Sequence, residues 1–284
     1  MGVLLSTDPV TEGEVVVDGA LVRFYDSLES RGTRNPIVLI HGTTGSTAVH
    51  FGFLFPMLAT RQRVVSIDLG QPEGELTIDS FRCQVEAVID QVLPGQRVTL
   101  LGYSLGAVVA ATVAAARPEA IENLILVAGW AKTDSQQILR NNLWNTLYAS
   151  GDKDALGQFT VFCAFGNPFV GARTLEELAP AIKAVNVTEF GVAQMQVNRD
   201  VDIVDRLDKI TANTLVIGCE FDQMVPNRHS KFLFGAIENA RYTEIPSGHA
   251  IVFERPAELH KQIDNFAANP HRHPAGTIIP TVKP

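Results

Sequence analysis

Apolar positions recur along the chain with two periods. Two short segments, 13–17 and 20–25, alternate apolar and polar residues as strands at an antiparallel sheet edge do. Strand-like runs follow at 36–40, 63–67, 97–101, 122–128, 213–218 and 241–245, most of them rich in Val, Ile and Leu. Helical spacing occupies the intervals at 48–59, 78–93, 104–117, 227–236 and 256–267. This alternation predicts an α/β fold with an eight-stranded, mostly parallel, doubly wound sheet. Ligands of such sheets gather beyond the carboxyl ends of the strands.

The alternation is interrupted once. Residues 129–212 are too many for a simple crossover, and helical periodicity returns there at 135–150, 153–165, 175–185 and 187–197. A helical cap is therefore expected to arch over the strand ends. The resulting boundaries are a core at 1–128 and 206–269, a cap insertion at 129–205, and a tail at 270–284. The tail is proline-rich, lacks periodicity and reads as an extended or mobile extension. The apolar stretch 98–116 could pass for a membrane helix, but it contains Gly102, Ser104 and Gly106, and strand–turn–helix explains it better.

That turn carries the first chemical signal. Gly102-Tyr103-Ser104-Leu105-Gly106 follows an apolar strand and opens an alanine-rich helix, the setting of a nucleophile elbow. Only small flanking residues permit a turn sharp enough to lift the serine hydroxyl clear of the chain.

With this elbow the sequence resembles the α/β-hydrolase family, over about residues 13–130 and 200–267, with the cap unmatched. The resemblance implies a carboxylate and a histidine after the serine, in that order. Asp222 matches the first, after the strand 213–218 and ahead of Pro226; His249 matches the second, in Ser247-Gly248-His249-Ala250 and ahead of Phe253-Glu254-Arg255-Pro256. Glu220 and Asp134 are rival acids. A serine hydroxyl needs an imidazole to take its proton, and that imidazole needs a carboxylate to hold its tautomer. The family's oxyanion hole maps onto the backbone N–H groups of Leu105 and of Thr43, the latter in the loop His41-Gly42-Thr43-Thr44-Gly45. His41 is expected to shape that loop by hydrogen bonding. The hydroxyls of Thr43 and Thr44 could add a donor or bond local backbone.

The chain departs from the family at Asp68-Leu69-Gly70-Gln71, where relatives carry a Gly-x-Gly-type loop, and at Ala107 and Asn213, where they often have glycine and proline. A serine nucleophile argues against the branches that form an ester on an aspartate.

The cap bears on substrate. Residues 155–171 contain no charge and hold Phe159, Phe162, Phe165 and Phe169, with Trp130, Trp144 and Tyr148 nearby. Candidate pocket residues are Thr44, Tyr103, Trp130, Trp144, Phe162 and Phe165. The competing reading is that these aromatics pack the cap onto the core.

Composition narrows the partners to a small-molecule substrate. A net charge of −8 without Lys/Arg-rich runs argues against nucleic acid and anionic membranes. Cys83, Cys163 and Cys219 are far apart and in no metal-ligand spacing, which favours a reducing compartment and implies no metal. His271 and His273 have no further ligands nearby in sequence. Met1–Ser6 matches a myristoylation pattern without a basic partner patch and lacks the features of a signal peptide. The expectation is a cytoplasmic serine hydrolase without cofactor, acting on an ester, thioester or lactone, its oligomeric state left open. Acyl transfer, perhydrolysis, C–C hydrolysis and non-catalytic binding use the same fold.

Overall fold

The computed structural model describes residues 10–28 and 34–281. Among them nine strands form one sheet: β1 (Thr11–Val17), β2 (Ala20–Asp26), β3 (Ile37–Ile40), β4 (Val64–Asp68), β5 (Val98–Tyr103), β6 (Ile121–Val127), β7 (Asn213–Cys219), β8 (Ala240–Ile245) and β9 (Ile278–Ile279). Their spatial order is β1-β2-β4-β3-β5-β6-β7-β8-β9. β2 is antiparallel to both neighbours, and every later pairing is parallel. Asp18 and Gly19, at φ 47° and 77°, close the first hairpin with the positive dihedrals of a type I′ turn.

The expected eight strands are present, and the tail supplies a ninth. Ile278–Ile279 pairs with β8, while Gly276 N–H donates to Ala240 O and the Arg241 guanidinium to His273 O. The tail to residue 281 is thus docked rather than a loose extension; a two-residue strand has no period to reveal it. The Met1–Ser6 pattern lies outside the described residues.

Helices α1 (Thr47–His50) and α2 (Leu54–Ala59) replace the single helix expected at 48–59. Pro56 explains the break. In a continuous helix its ring would clash with the Gly52 carbonyl, whereas in the first turn of α2 it is tolerated. α3 (Ile78–Val92) and α4 (Leu105–Ala116) follow within two residues of expectation.

Alternate residues of the parallel strands face opposite layers. Val38, Ile40, Leu100, Leu124 and Val216 pack under α3 and α4, while Ile37, Leu39, Leu101, Ile125 and Ile217 pack against Phe51, Leu54, Phe55 and Leu58 of the α1–α2 segment. Burial on both faces is why these strands read as near-continuous apolar runs.

Between β6 and β7 lie α5 (Ser135–Ser150), α6 (Lys153–Ala164), α7 (Asn167–Gly171), α8 (Leu175–Ala184) and α9 (Glu189–Val197). Four start at side-chain caps: Asp134, Asp152, Thr174 and Thr188 each accept an N–H from the first turn. α7 carries Pro168 in its first turn and is too short to show a period. The insertion's ends pair at a neck, where Thr133 N–H donates to Val201 O and Ile203 N–H to Ala131 O. Its own core is small: Trp144, Leu156 and Met195. The chain ends its helical part with α10 (Arg228–Ala236), α11 (Ile251–Glu254) and α12 (Pro256–Ala268). No helix among the described residues is long and apolar enough to cross a membrane.

Candidate active site

β5 ends at Tyr103 and α4 begins at Leu105, which leaves Ser104 alone in the turn. Its φ of 57° and ψ of −120° lie where L side chains are strained, by about 1–3 kcal/mol. The glycine flanks let the turn close. A Cβ on Gly102 would sit 2.0 Å from Gly106 O, and one on Gly106 would sit 2.1 Å from Ile40 O.

The loop after β7 and the loop after β8 deliver the other two groups. His249 Nε2 lies 2.8 Å from Ser104 Oγ, and His249 Nδ1 lies 2.7 Å from Asp222 Oδ2. Asp222 Oδ1 accepts the N–H groups of Met224 and Val225, each at 2.8 Å. The carboxylate is thereby closed off from solvent and its orientation fixed. Neither rival acid bonds to His249. Asp134 caps α5 and pairs with Arg228 and His229, and Glu220 is a half-buried loop residue.

The loop after β3 abuts the serine, since a Cβ on Gly42 would lie 2.9 Å from Ser104 Cβ. Neither Thr43 N–H nor Leu105 N–H bonds to a described residue. The loop is held from two sides. On the sheet side, His41 donates from Nδ1 to Gly42 O (2.8 Å) and accepts Leu69 N–H at Nε2 (3.1 Å), and His50 Nδ1 accepts Gly42 N–H (3.1 Å). Burial holds both imidazoles below their ordinary range, His50 at about 3. On the insertion side, Gln194 Oε1 accepts Thr44 N–H (2.8 Å), and Asn198 Nδ2 donates to Thr43 Oγ1 (2.9 Å). Thr43's hydroxyl thus has a partner far away in sequence rather than the local backbone.

The insertion also grips the histidine loop. Ala250 N–H donates to Ala164 O (2.8 Å), and Glu254 Oε1 accepts Gly166 N–H (2.9 Å) and Gly248 N–H (3.0 Å). The two glycines meet backbone to backbone, because a Cβ on Gly248 would lie 2.2 Å from Gly166 N. Ser104, Asp222 and His249 are all buried as a result.

The aromatic pocket candidates are mostly displaced. Trp130 is sealed in the main core with Nε1 donating to Thr133 Oγ1, and Trp144 stacks on Tyr148 within the insertion's core. Tyr103 lies behind the histidine, its hydroxyl donating to His249 O (2.7 Å). Phe162 is 61% exposed and faces solvent. Spacing along a helix shows that an aromatic has a face but not what meets it. Phe165, half-buried and stacked on Phe169, adjoins Gly248 through its backbone, and Thr44 is exposed at the rim. His50, Gln194, Asn198 and Glu254 carry no sequence signal of their own, since each acts through a contact distant in sequence.

A model of the alpha/beta hydrolase fold matches residues 35–256. Pyrrolizixenacetamide deacetylase of Xenorhabdus hominickii is 29% identical over 236 residues, spanning 78% of this chain and 87% of the relative. Pimeloyl-[acyl-carrier protein] methyl ester esterase of Aeromonas hydrophila subsp. hydrophila is 27% identical over 261 residues, 84% of this chain and 98% of the relative. Among solved structures, an alpha/beta hydrolase enzyme from a Medee basin deep-sea metagenome library has a TM-score of 0.78 at 19% identity, covering 90% of this chain and 98% of that one, a likeness of fold. With the family match extending through the serine turn, the Asp222 loop and the His249 loop, the chain belongs to the alpha/beta hydrolase family and is an enzyme of the hydrolase type.

Proposed function

We propose that the enzyme cleaves an ester, thioester or lactone of a small molecule through an acyl-enzyme on Ser104. The observation that carries this reading is the unbroken relay Asp222–His249–Ser104, beside two backbone N–H groups without partners among the described residues. In the tautomer that the relay requires, Nδ1–H donates to Asp222 and Nε2 accepts the serine proton. Ser104 Oγ attacks the carbonyl carbon as His249 takes that proton. The N–H groups of Thr43 and Leu105 receive the oxyanion. His249 then hands the proton to the leaving group, and a water deprotonated by the same imidazole releases the acyl group.

The names of the two relatives, a deacetylase and a methyl ester esterase, accord with acyl-bond hydrolysis and extend the bonds to be tried to amides. The helical insertion serves as the cap of this site. Its free Cys163, with the free Cys83 and Cys219 of the core, fits a reducing cytoplasm.

A fluorophosphonate probe tests the reading. Stoichiometric label on Ser104, absent from Ser104→Ala, is the expected result, with turnover on an active ester falling by about 10⁶-fold in that variant. Label elsewhere, or ester turnover surviving Ser104→Ala, overturns it.

A further inference from the structure

A cavity of about 370 Å³ lies between α12, the strands β7 and β8, and the tail from 269 to 281. No residue of the relay, of the oxyanion loop or of the insertion lines it. Leu215, Ile245, Phe266 and Ile279 give it apolar walls, and its size suits a small organic molecule. The docked tail makes it a cavity, since Arg272, His273 and Ile279 all come from that segment.

The charged lining is cationic, in a chain whose net charge is −8. Arg241, Lys261 and Arg272 face a single carboxylate, Glu258, which is already paired with Arg255 at 3.1 Å, and none of the three cations forms an ion pair with a described residue. Lys261 and Arg272 are exposed, as unpaired surface cations usually are. Arg241 is not: it is only 4% exposed. Its Nε donates to His273 O (2.7 Å), and its Nη1 donates to Asn239 O (2.8 Å) and Asn239 Oδ1 (2.6 Å). These neutral acceptors fix the guanidinium without balancing its charge, and burial lowers its pKa. Nη2 has no partner among the described residues, yet it is not sealed from solvent. The cavity thus holds an oriented, buried cation with one nitrogen uncommitted, beside apolar walls and two further cations.

We propose that this cavity is a second binding site, separate from Ser104, for a small organic anion with an apolar body and a carboxylate or phosphate head. Arg241 Nη2 anchors the head by a charge-assisted hydrogen bond, Lys261 and Arg272 close over it, and the body lies along Leu215, Ile245, Phe266 and Ile279. A ligand held between α12 and the tail also fastens the tail to β8. The site does not depend on the Ser104 reading.

Calorimetric titration of the full chain with hexanoate and with phenyl phosphate tests this, beside hexanol, phenol and inorganic phosphate. At least one of the two acids is expected to bind, and more tightly than its neutral counterpart or inorganic phosphate. Arg241→Gln should weaken that binding by about 10- to 100-fold. Because Arg241 also holds the tail, the exposed pair is tested separately: Lys261→Glu/Arg272→Glu reverses two charges without emptying the core and should weaken binding by at least about 10-fold. Hydrogen exchange locates the site, with protection expected to rise in α12 and in 276–281. No binding of either acid, binding unchanged in Lys261→Glu/Arg272→Glu, inorganic phosphate binding as tightly as the acids, or protection confined to 43–45 and 248–250 would each overturn the proposal. Ester turnover and fluorophosphonate labelling of Ser104 should be unchanged in Lys261→Glu/Arg272→Glu, so a failure of the Ser104 reading would show in the wild type by itself and leave the binding result standing.

Discussion

The sheet and the helical insertion are built on different scales. The sheet buries both faces of its parallel strands, and the three groups of the relay stand on loops at its strand ends. The insertion consolidates around Trp144, Leu156 and Met195 and reaches the site through a few polar contacts: Gln194 to Thr44, Asn198 to Thr43, Ala164 to Ala250, and Gly166 by way of Glu254. Chemistry that tolerates little misplacement is held by the larger core. The less consolidated insertion is free to vary without disturbing that geometry.

The largest effect that separates the halves is expected from Asp222→Asn. An amide at this position donates where the relay needs an acceptor and disfavours the tautomer in which His249 Nε2 takes the proton, so kcat should fall by about 10⁴-fold with the fold intact. Steady-state kinetics beside a circular dichroism spectrum checks this, and a kcat close to wild type would move the acid to Asp134 or Glu220.

Next comes the contrast between the cores. Phe55→Ala empties a fully buried site in the sheet layer and should lower global stability by about 3–5 kcal/mol in urea titrations. Leu156→Ala, in the insertion, should instead raise hydrogen exchange locally in α5, α6 and α9 while the sheet stays protected. Equal loss of protection in both regions would show that they unfold as one unit.

Glu254→Ala probes the link between the halves. It removes the acceptor that joins Gly166 to Gly248, two hydrogen bonds at about 1 kcal/mol each, and should lower kcat by about 10- to 30-fold. Glu254→Gln keeps a carbonyl oxygen there and should recover most of the loss. Failure of Gln to rescue would mean that the charge, not the geometry, is what His249 needs.

These halves were also unequally legible in the sequence. The strands and the elbow were readable because their signals are local: runs of Val, Ile and Leu, and glycines at the two positions where backbone meets backbone. The insertion's helices could be placed from period and cap residues, Ser135–Ser150 to the residue. The partners of their side chains could not. Trp130 and Trp144 looked like pocket residues and are core, because an aromatic stripe records burial without naming what covers it. Glu254 had no signal beyond the family likeness of the run Phe253-Glu254-Arg255-Pro256, since its two backbone partners lie elsewhere in the fold. β9 and the α1–α2 break escaped for local reasons, a strand two residues long and the ring of Pro56.

The smallest expected effect concerns the loop both halves support. His41 and His50 hold Gly42 from the sheet side as neutral imidazoles, with His50 depressed by burial first and by the charges of His41 and His249 after it. Below about pH 6.5 the unfolded chain gains protons on these groups that the native state refuses, so the stability they contribute is complete above that pH and drains as pH falls towards about 3. His50→Asn offers an oxygen where Nδ1 accepted Gly42 N–H and removes one titrating group, so its urea midpoint should fall less steeply than wild type between pH 7 and 4.5. Gln194→Ala frees Thr44 N–H from the insertion side and should leave that pH slope unchanged while slowing fluorophosphonate labelling of Ser104 several-fold. If both variants altered the slope alike, the loop would be responding to a single support, and the division of labour between sheet and insertion would not extend to Gly42, Thr43 and Thr44.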